Sequence, residues 1–207
     1  MRRCVLCLIA ATLLVGFASV MATAAEDGVL MGVVVNGTEN GGSTAGLEVT
    51  LRRFQGSEER ERLSTTTDDE GRFRFEHLDT GQDWAYLVRV VYQGVSYSSG
   101  VQAFGAEREL VFSLSVYEPT TDGSAIAVDR AHVLVTVAGE GLSVTELYVF
   151  GNPTDRTYVG ANEVDGRRWT AKFVLPEQSA NLTLDDGSLG SRFLSIPEGF
   201  VDTEPQW

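Results

Sequence analysis

The sequence predicts an all-β protein, with two β-sandwich domains in tandem behind a signal peptide. After residue 25, no segment keeps apolar residues at helical spacing for three turns. Short runs rich in Val, Leu, Phe and Tyr instead recur between clusters of Gly, Asp, Asn and Ser, which is the pattern of strands separated by turns. The 207 residues are 43% hydrophobic and 22% charged, an ordinary globular composition. The length after the signal fits two domains of about 90 residues each.

Residues 1–25 have the pattern of a secretory signal peptide. A basic start at Arg2 and Arg3 precedes an apolar stretch at 4–20, and small residues at 21–25 offer a cleavage site. We therefore expect an exported chain that begins near Glu26 and is periplasmic, cell-surface or extracellular. The alternative is an uncleaved membrane anchor, because an apolar run of this length approaches the roughly 18 to 20 residues that span a bilayer.

The processed chain lacks the residues and the charge that several classes of function require. Cys4 and Cys7 both fall in the signal peptide, so we expect no disulfide, no thiol catalysis and no cysteine-based zinc site. Removing Arg2 and Arg3 from the 16 basic side chains leaves 14 against 29 acidic ones, a formal charge of −15. Such a charge repels nucleic acid and anionic lipid, so neither is an expected partner. No second hydrophobic stretch follows, and we expect no transmembrane segment in the mature chain.

The first domain is expected at 26–117, where apolar and polar residues alternate as in half-buried strands. The residues assigned to the core face of these strands are Leu47, Val49, Leu51, Phe73, Phe75, Leu110, Phe112, Leu114 and Val116. The segment Ala85–Tyr92 is apolar on both faces, which favours a central strand. Gln93-Gly94 then turns the chain into a further strand at Val95–Ser99.

A linker is expected at 118–124, where Pro119 and a cluster of turn formers interrupt the strand pattern. The second domain, 125–207, is expected to contain strands at Ala131–Ala138, Val144–Phe150, Trp169–Leu175 and Asn181–Leu184. No strand is expected after Pro197. The domain therefore has about five strands where a complete sandwich has about seven, and an incomplete sandwich exposes an unpaired strand edge.

The run STTTDDEGRFRFEHLDTG at Ser64–Gly81 resembles, in kind and spacing, the signature of carboxypeptidase regulatory-like domains. Upstream, Gly32–Gly37 and Gly46–Leu51 occupy the places of that family's first two strands. The resemblance covers about residues 27–117 and implies a prealbumin-like, or carbohydrate-binding-like, Greek-key sandwich of seven strands. Residues 144–155 are more loosely similar to the domain that follows such modules in exported bacterial proteins. The expected architecture is therefore two antiparallel Greek-key β-sandwich domains in tandem.

The resemblance implies a fold rather than an activity, because the family attaches this sandwich to very different proteins. In metallocarboxypeptidases, catalysis belongs to a separate zinc domain, and no zinc-ligand motif of that domain occurs in this sequence. Within the matching run, Asp68 and Gly71 are expected to form a tight turn. Phe73, Phe75 and Leu78 are then expected to anchor the core.

Few residues are candidates for catalysis or metal binding. The two histidines, His77 and His132, fall in different predicted domains, and no cysteine remains to join them, so we expect no catalytic residue, metal site or cofactor. His77 alternates with phenylalanines and is expected to be a partly buried core residue. The acidic clusters at 68–70 and 185–186 could supply oxygen ligands to calcium, but neither has the alternating pattern of a dedicated loop, and turn formation is the simpler explanation.

Four aromatic residues cluster in sequence around one predicted hairpin: Trp84, Tyr86, Tyr92 and Tyr97. Sugar rings stack on exposed aromatic faces, so Trp84, Tyr92 and Tyr97 are the candidate carbohydrate-binding residues. Core packing is the alternative, and it is the stronger interpretation for the tyrosines on the central strand, Tyr86 and Tyr92.

These observations favour a non-catalytic exported module that binds a polysaccharide or an envelope protein at the cell envelope. In this hypothesis the faces and edges of strands, rather than a pocket, make the contact. The alternative is a structural stalk or assembly component of an envelope complex, anchored in the membrane through a carboxy-terminal segment that this sequence does not contain. An enzyme would require a cleft with convergent polar groups, and no motif in the sequence indicates one.

Overall fold

The computed structural model describes residues 27–139, 141–185 and 188–207. All of the secondary-structure elements in these ranges are β-strands. The prediction of an all-β fold is therefore confirmed. The predicted signal peptide at 1–25 lies outside the described residues. None of the residues in the described ranges belongs to a helix long and apolar enough to span a membrane.

The first half of the chain is a sandwich of seven strands. These strands are β1 (Gly28–Asn36), β2 (Glu48–Gln55), β3 (Glu58–Thr66), β4 (Arg72–Leu78), β5 (Trp84–Tyr92), β6 (Val95–Ser98) and β7 (Glu109–Val116). One sheet has the order β4-β1-β7 and the other has the order β3-β2-β5-β6. All pairs in this sandwich are antiparallel except β1 and β7, which run parallel from Val29 to Asn36, so the expectation of purely antiparallel sheets is wrong for this pair.

The two sheets enclose a single apolar core built from alternate residues of each strand. Tyr86 and Val88 on β5 and Leu30 on β1 are fully buried, and the residues assigned to the core from the alternation of β2, β4 and β7 lie there as predicted. Burial of a side chain of this size stabilises the fold by about 1.5–3 kcal/mol. The sandwich therefore provides a rigid body on which exposed elements can be carried.

The turn before β4 has the predicted form. Asp68 Oδ1 accepts hydrogen bonds from the backbone N–H groups of Glu70, at 3.0 Å, and Arg72, at 2.7 Å. Gly71 has a φ of 76°, and a Cβ there would lie 2.4 Å from the carbonyl oxygen of Val34. Glycine is therefore required for both its backbone conformation and its close approach to β1.

The prediction that His77 is a partly buried core residue is wrong. Its side chain is 79% exposed, and its Nδ1 lies 3.2 Å from Asp27 Oδ1. His77 has a φ of 58°, and the pairing of β4 with β1 shifts register at this end. A bulge of this kind breaks the strict alternation, so the side chain that follows Phe75 by two positions points outward and Leu78 turns inward.

The second half forms several small sheets. Its strands are β8 (Glu118–Thr120), β9 (Ala127–Ala138), β10 (Gly141–Gly151), β11 (Arg156–Tyr158), β12 (Asn162–Val164), β13 (Arg167–Trp169), β14 (Ala171–Val174), β15 (Phe193–Ile196) and β16 (Gly199–Asp202). The sheets are β8 with β11, β9 with β10, β12 with β13, and β14-β16-β15. The described residues of this half thus form four separate sheets, whereas a second sandwich was expected to have two.

Three segments of the second half differ from the expectations. The expected linker contains β8, which pairs in parallel with β11 and so belongs to a structured junction. The prediction that no strand follows Pro197 is wrong, because β16 is the central strand of its sheet. Asn181–Leu184 is not a strand, and Asn181 has a φ of 58°, a left-handed conformation that interrupts extended backbone.

Candidate interaction surface

The candidate carbohydrate-binding tyrosines do not present exposed ring faces. Tyr92 is 4% exposed and Tyr97 is 3% exposed, so the prediction that they form a stacking platform is wrong. The physical reason is the parity of the strands. Even-numbered positions of β5 face the core, and Tyr97 lies on the core side of the neighbouring β6.

Tyr97 instead joins the two halves of the chain. Its hydroxyl lies 2.7 Å from Thr157 Oγ1 on β11 and donates to the carbonyl oxygen of Tyr117 at 3.0 Å. Its ring centroid is 5.5 Å from that of Trp207. Burial raises the pKa of Tyr97 above its ordinary value. The residue therefore acts as a neutral hydrogen-bonding group at the junction.

Tyr92 lies in a second group of contacts at the same junction, centred on Glu118. The Tyr92 hydroxyl donates to Glu118 Oε1 at 2.6 Å, and the backbone N–H of Gly42 donates to the same oxygen at 2.8 Å. The side-chain amides of Asn36 and Gln93 also donate to this carboxylate, at 3.0 and 2.5 Å. These hydrogen bonds, led by that from Tyr92, lower the pKa of Glu118 to about 2.

Trp84 is half-buried, and Arg53 covers part of its surface. The Arg53 guanidinium carbon lies 4.9 Å from the Trp84 ring centroid, and the same guanidinium forms ion pairs with Asp79 and Glu61. Trp84 and Tyr92 stand at opposite ends of β5, about 26 Å apart along an extended strand. The three candidate aromatic residues therefore form no continuous strip.

The candidate metal and catalytic residues remain apart. Among the described residues, no group of three or more His, Cys, Asp and Glu side chains is placed to hold a metal ion. His77 stands at the end of β4, and His132 stands on β9. A shallow, open depression of about 460 Å³ lies on the outer face of the four-stranded sheet, lined by Glu48, Thr50, Arg52, Arg62, Arg89 and Val91. Glu59 forms ion pairs with two of these residues, Arg52 and Arg62, and this neutralises part of their charge.

Among the described residues, the most exposed element is the hairpin formed by β9 and β10. The two strands pair antiparallel from Ala127 with Gly151 to Ala138 with Gly141, and neither belongs to a larger sheet in the described part of the chain. Strands of this length extend about 40 Å. Every described residue of β9 is exposed, so both faces and both outer edges of the hairpin are accessible.

One face of this hairpin is apolar toward the tip. Directly opposed residues of an antiparallel pair share a face, and the register places Val135 opposite Val144 and Val137 opposite Leu142. Val133 belongs to the same face, where its partner on β10 is Glu146, which accepts a hydrogen bond from the Tyr148 hydroxyl toward the base of the hairpin. These five residues are 52% to 83% exposed. The other face is mixed, with Leu134 and Leu147 among polar residues. We refer to Val133, Val135, Val137, Leu142 and Val144 as the apolar face.

Aromatic residues anchor the base of the hairpin to the second half. The ring of Tyr148 lies 5.5 Å, centroid to centroid, from that of Phe173 on β14, and the ring of Phe150 lies 6.3 Å from it. Phe173 in turn stacks on Phe200 of β16 at 4.8 Å. The hairpin is therefore attached at its base, and its outer two-thirds, with the apolar face, extends beyond these contacts.

Sequence reasoning identified both strands of the hairpin but not their exposure. The expected sandwich implies that the same chain covers one face of the predicted strand Ala131–Ala138, where valines alternate with other residues from Val133 to Val137. The same alternation is expected when another molecule, and not the chain itself, covers the apolar face of the strand. The run VLVTVA at 133–138, which lacks any charge, is the signal that distinguishes this strand from the charged edge strand β3.

No family model matches the chain, and no curated protein matches it. A solved structure of a DUF3823 family protein from Parabacteroides merdae is similar to it at 16% identity, with a TM-score of 0.29. The match covers 64% of this chain and 62% of that structure, so the chain spans less than two thirds of its length. The resemblance to carboxypeptidase regulatory-like domains stays a prediction from the Ser64–Gly81 motif.

Proposed function

We propose that this chain is a non-catalytic, exported interaction module that contacts a protein at the cell envelope through its β9–β10 hairpin. The single observation that carries the proposal is the exposed apolar face of that hairpin. The sequence pattern of residues 1–25 supports export to the periplasm, the cell surface or the medium.

The energetics of the hairpin support contact with another protein. A two-stranded hairpin is only marginally stable in water, and a third strand or a packed face is normally needed to hold it. Val137 is 83% exposed and Leu142 is 68% exposed, and transfer of such a side chain out of water contributes about 1.5–3 kcal/mol. A partner that covers the apolar face would therefore stabilise the hairpin as well as bind it.

An aliphatic face favours a protein over a polysaccharide as the partner. Sugar rings stack on aromatic rings, whereas the apolar face consists of valine and leucine. The buried tyrosines and the covered Trp84 give no aromatic platform in the sandwich. Affinity electrophoresis through soluble polysaccharides should leave the mobility of the chain unchanged. Retardation that Trp84→Ala abolishes would contradict the proposal and assign a carbohydrate site.

Site-specific photocrosslinking tests the proposal directly. In the cells that produce the chain, a photoreactive amino acid is incorporated in place of Val135 on the apolar face. A matched control variant carries the same amino acid in place of Val111. Val111 on β7 of the sandwich is 67% exposed and Val135 is 52% exposed, so the control is at least as accessible. We expect one discrete protein adduct from position 135 and none from position 111. Absence of an adduct from 135, or equal adducts from both positions, would contradict the proposal.

The second candidate function is a structural stalk, and the junction between the halves favours it. Thr38 Oγ1 donates to the carbonyl oxygen of Asp155 at 2.5 Å and accepts from the backbone N–H of Glu118 at 2.8 Å. Together with the Tyr97–Thr157 contact, these bonds hold the halves firmly against each other, as a stalk requires. The intact mass of the native product distinguishes the two: a product that ends at Trp207 counts against an anchored stalk, and a longer one favours it.

A further inference from the structure

We propose that the hairpin binds a second copy of this chain through the outer edge of β9. The two β9 strands pair antiparallel about a two-fold axis at Val135, and the two hairpins together form one four-stranded sheet. This inference rests on the proposed function, because it assumes that the hairpin is the contact element. It goes further by naming the occupant, the strand edge and the register.

The edge of β9 has the properties of a strand that pairs. Its outer segment from Val133 to Ala138 contains no charge and no proline, and four of its six residues are β-branched. Natural edge strands that must remain unpaired normally carry charges, prolines or bulges. The other edge of the hairpin, β10, carries Glu146 in its middle. Pairing through β9 therefore leaves Glu146 on an outer strand of the four-stranded sheet, whereas pairing through β10 would place it on a central strand with neighbours on both sides.

The register about Val135 follows from the side chains. In an antiparallel pair related by a two-fold axis through one residue, positions equally far on either side of that residue face each other. Val133 then lies opposite the partner's Val137, and Val135 lies opposite its own copy. The apolar faces of both hairpins fall on the same side of the new sheet. Every cross-strand pair on that face, from Val133 to Val137, is a pair of valines.

The charge of the chain favours this antiparallel arrangement between copies. Each processed chain has a formal net charge of −15, so two bodies in direct contact would repel each other. Antiparallel pairing of the seven residues 132–138 places the bodies, each of which begins near residue 131, at opposite ends of a shared ribbon, about 26 Å apart. At physiological ionic strength, charges are screened over about 8 Å. The hairpin thus reaches a second copy without bringing the acidic bodies together.

The expected affinity is modest because the contact is small. A paired edge about 23 Å long and about 10 Å deep buries roughly 230 Å² from each copy. Stable protein interfaces bury about 1,200–2,000 Å² in total, so this contact belongs with the weak and transient ones. We expect a reversible dimer with a dissociation constant of the order of 10⁻⁵ M.

Sedimentation velocity of the purified secreted chain between about 2 and 300 μM tests the dimer. Val135→Lys sets two like charges opposite each other at the axis and should weaken association at least tenfold. The matched control is Val144→Lys, which alters the same face but lies on β10, where the two introduced charges are about 14 Å apart. Val144→Lys should raise the dissociation constant by no more than about threefold.

Two oppositely charged substitutions, made singly and then together, test the register. Because the double variant is expected to restore association, a variant that simply misfolds cannot imitate the expected result. Val133→Lys and Val137→Glu should each weaken the dimer, because each sets a charge opposite a valine. In the double variant V133K/V137E, each introduced lysine faces the partner's introduced glutamate, and association should return to at least the wild-type level. A double variant as weak as the single variants would overturn the register, and equal weakening by Val144→Lys would overturn the β9 edge.

The photocrosslink at Val135 separates failure of this inference from failure of the proposed function. An adduct of twice the mass of the secreted chain supports the second copy. An adduct of any other mass, together with a chain that stays monomeric to 300 μM, overturns the second copy and leaves the protein-contact function standing. A monomeric chain with no adduct overturns both.

Discussion

Replacing Glu118 with Gln should destabilise the junction between the two halves in a pH-dependent manner. The carboxylate accepts hydrogen bonds from Tyr92, Gly42, Asn36 and Gln93, and these lower its pKa from an ordinary value of 4.5 to about 2. A shift of this size corresponds to an upper limit of about 3 kcal/mol for a fully shielded group. Because Glu118 is partly open to solvent, screening reduces this contribution, and we expect a loss of about 1–2 kcal/mol.

The direction of the pH dependence follows from the lowered pKa. A carboxyl with a lower pKa in the folded than in the unfolded state stabilises the fold only while it is ionised. The contribution of Glu118 is therefore fully present above about pH 4.5 and is lost as the pH falls toward 2. The difference in free energy of unfolding between wild type and Glu118→Gln should be largest above pH 5 and should shrink steadily below it.

Urea unfolding of both proteins at pH 2.5, 4, 5.5 and 7, followed by tryptophan fluorescence, measures this difference. Glu109→Gln is the matched control, because Glu109 is an exposed glutamate at the start of β7 on the same sandwich. It should change the free energy of unfolding by less than about 0.5 kcal/mol at any pH. A loss for Glu118→Gln that is the same at pH 2.5 and pH 7 would refute the reasoning, since a neutral hydrogen-bond defect does not titrate.

Three further changes test the contacts that position the hairpin and the sandwich. Tyr97→Phe removes the buried hydroxyl that faces Thr157 and should lower the free energy of unfolding by about 1–2 kcal/mol; a double-mutant cycle with Thr157→Val should show coupling, and strict additivity would contradict the contact. Gly71→Ala places a Cβ against Val34 at a φ of 76°, which should cost about 1–3 kcal/mol of the free energy of unfolding and lower the thermal midpoint by several degrees. An unchanged midpoint would contradict the requirement for glycine and show that the turn can relax. Phe112→Ala leaves a cavity in the sandwich core and should lower the free energy of unfolding by about 3–5 kcal/mol in urea, whereas a loss under 1 kcal/mol would contradict its burial.

Local pattern predicts the strands of the sandwich well, because period-two alternation and turn chemistry act within a few residues. The turn from Asp68 to Gly71 is of this kind, and the structure confirms it. His77 was misplaced because a bulge between paired strands leaves no mark in the sequence of one strand. The strand Gly199–Asp202 was missed because only four residues define it, and its stability comes from pairing on both sides.

The candidate site could be predicted only in part, because exposure depends on tertiary contacts. Tyr92 has the parity of the core-facing residues of β5, so alternation predicts an inward direction for it, whereas Trp84 precedes the predicted strand Ala85–Tyr92 and alternation leaves its direction open. The burial of Tyr97 depends on Thr157, 60 positions away, and no local signal carries that information. The alternation in β9 likewise specifies a strand with an apolar face, but only the fold shows that the chain itself does not cover that face.

Two strands with open edges in this one chain differ in their chemistry. β3 is an edge strand of the sandwich, and Glu58–Arg62 gives it five consecutive charged residues, several in ion pairs with each other or with β2. Such an edge resists pairing with another molecule, because burying it would strip these charges of water. β9 has an open edge as well, yet Val133–Ala138 carries no charge. The chain thus protects the edge of β3 with charges and leaves the edge of β9 without them. This difference is better explained if the edge of β9 is a contact surface.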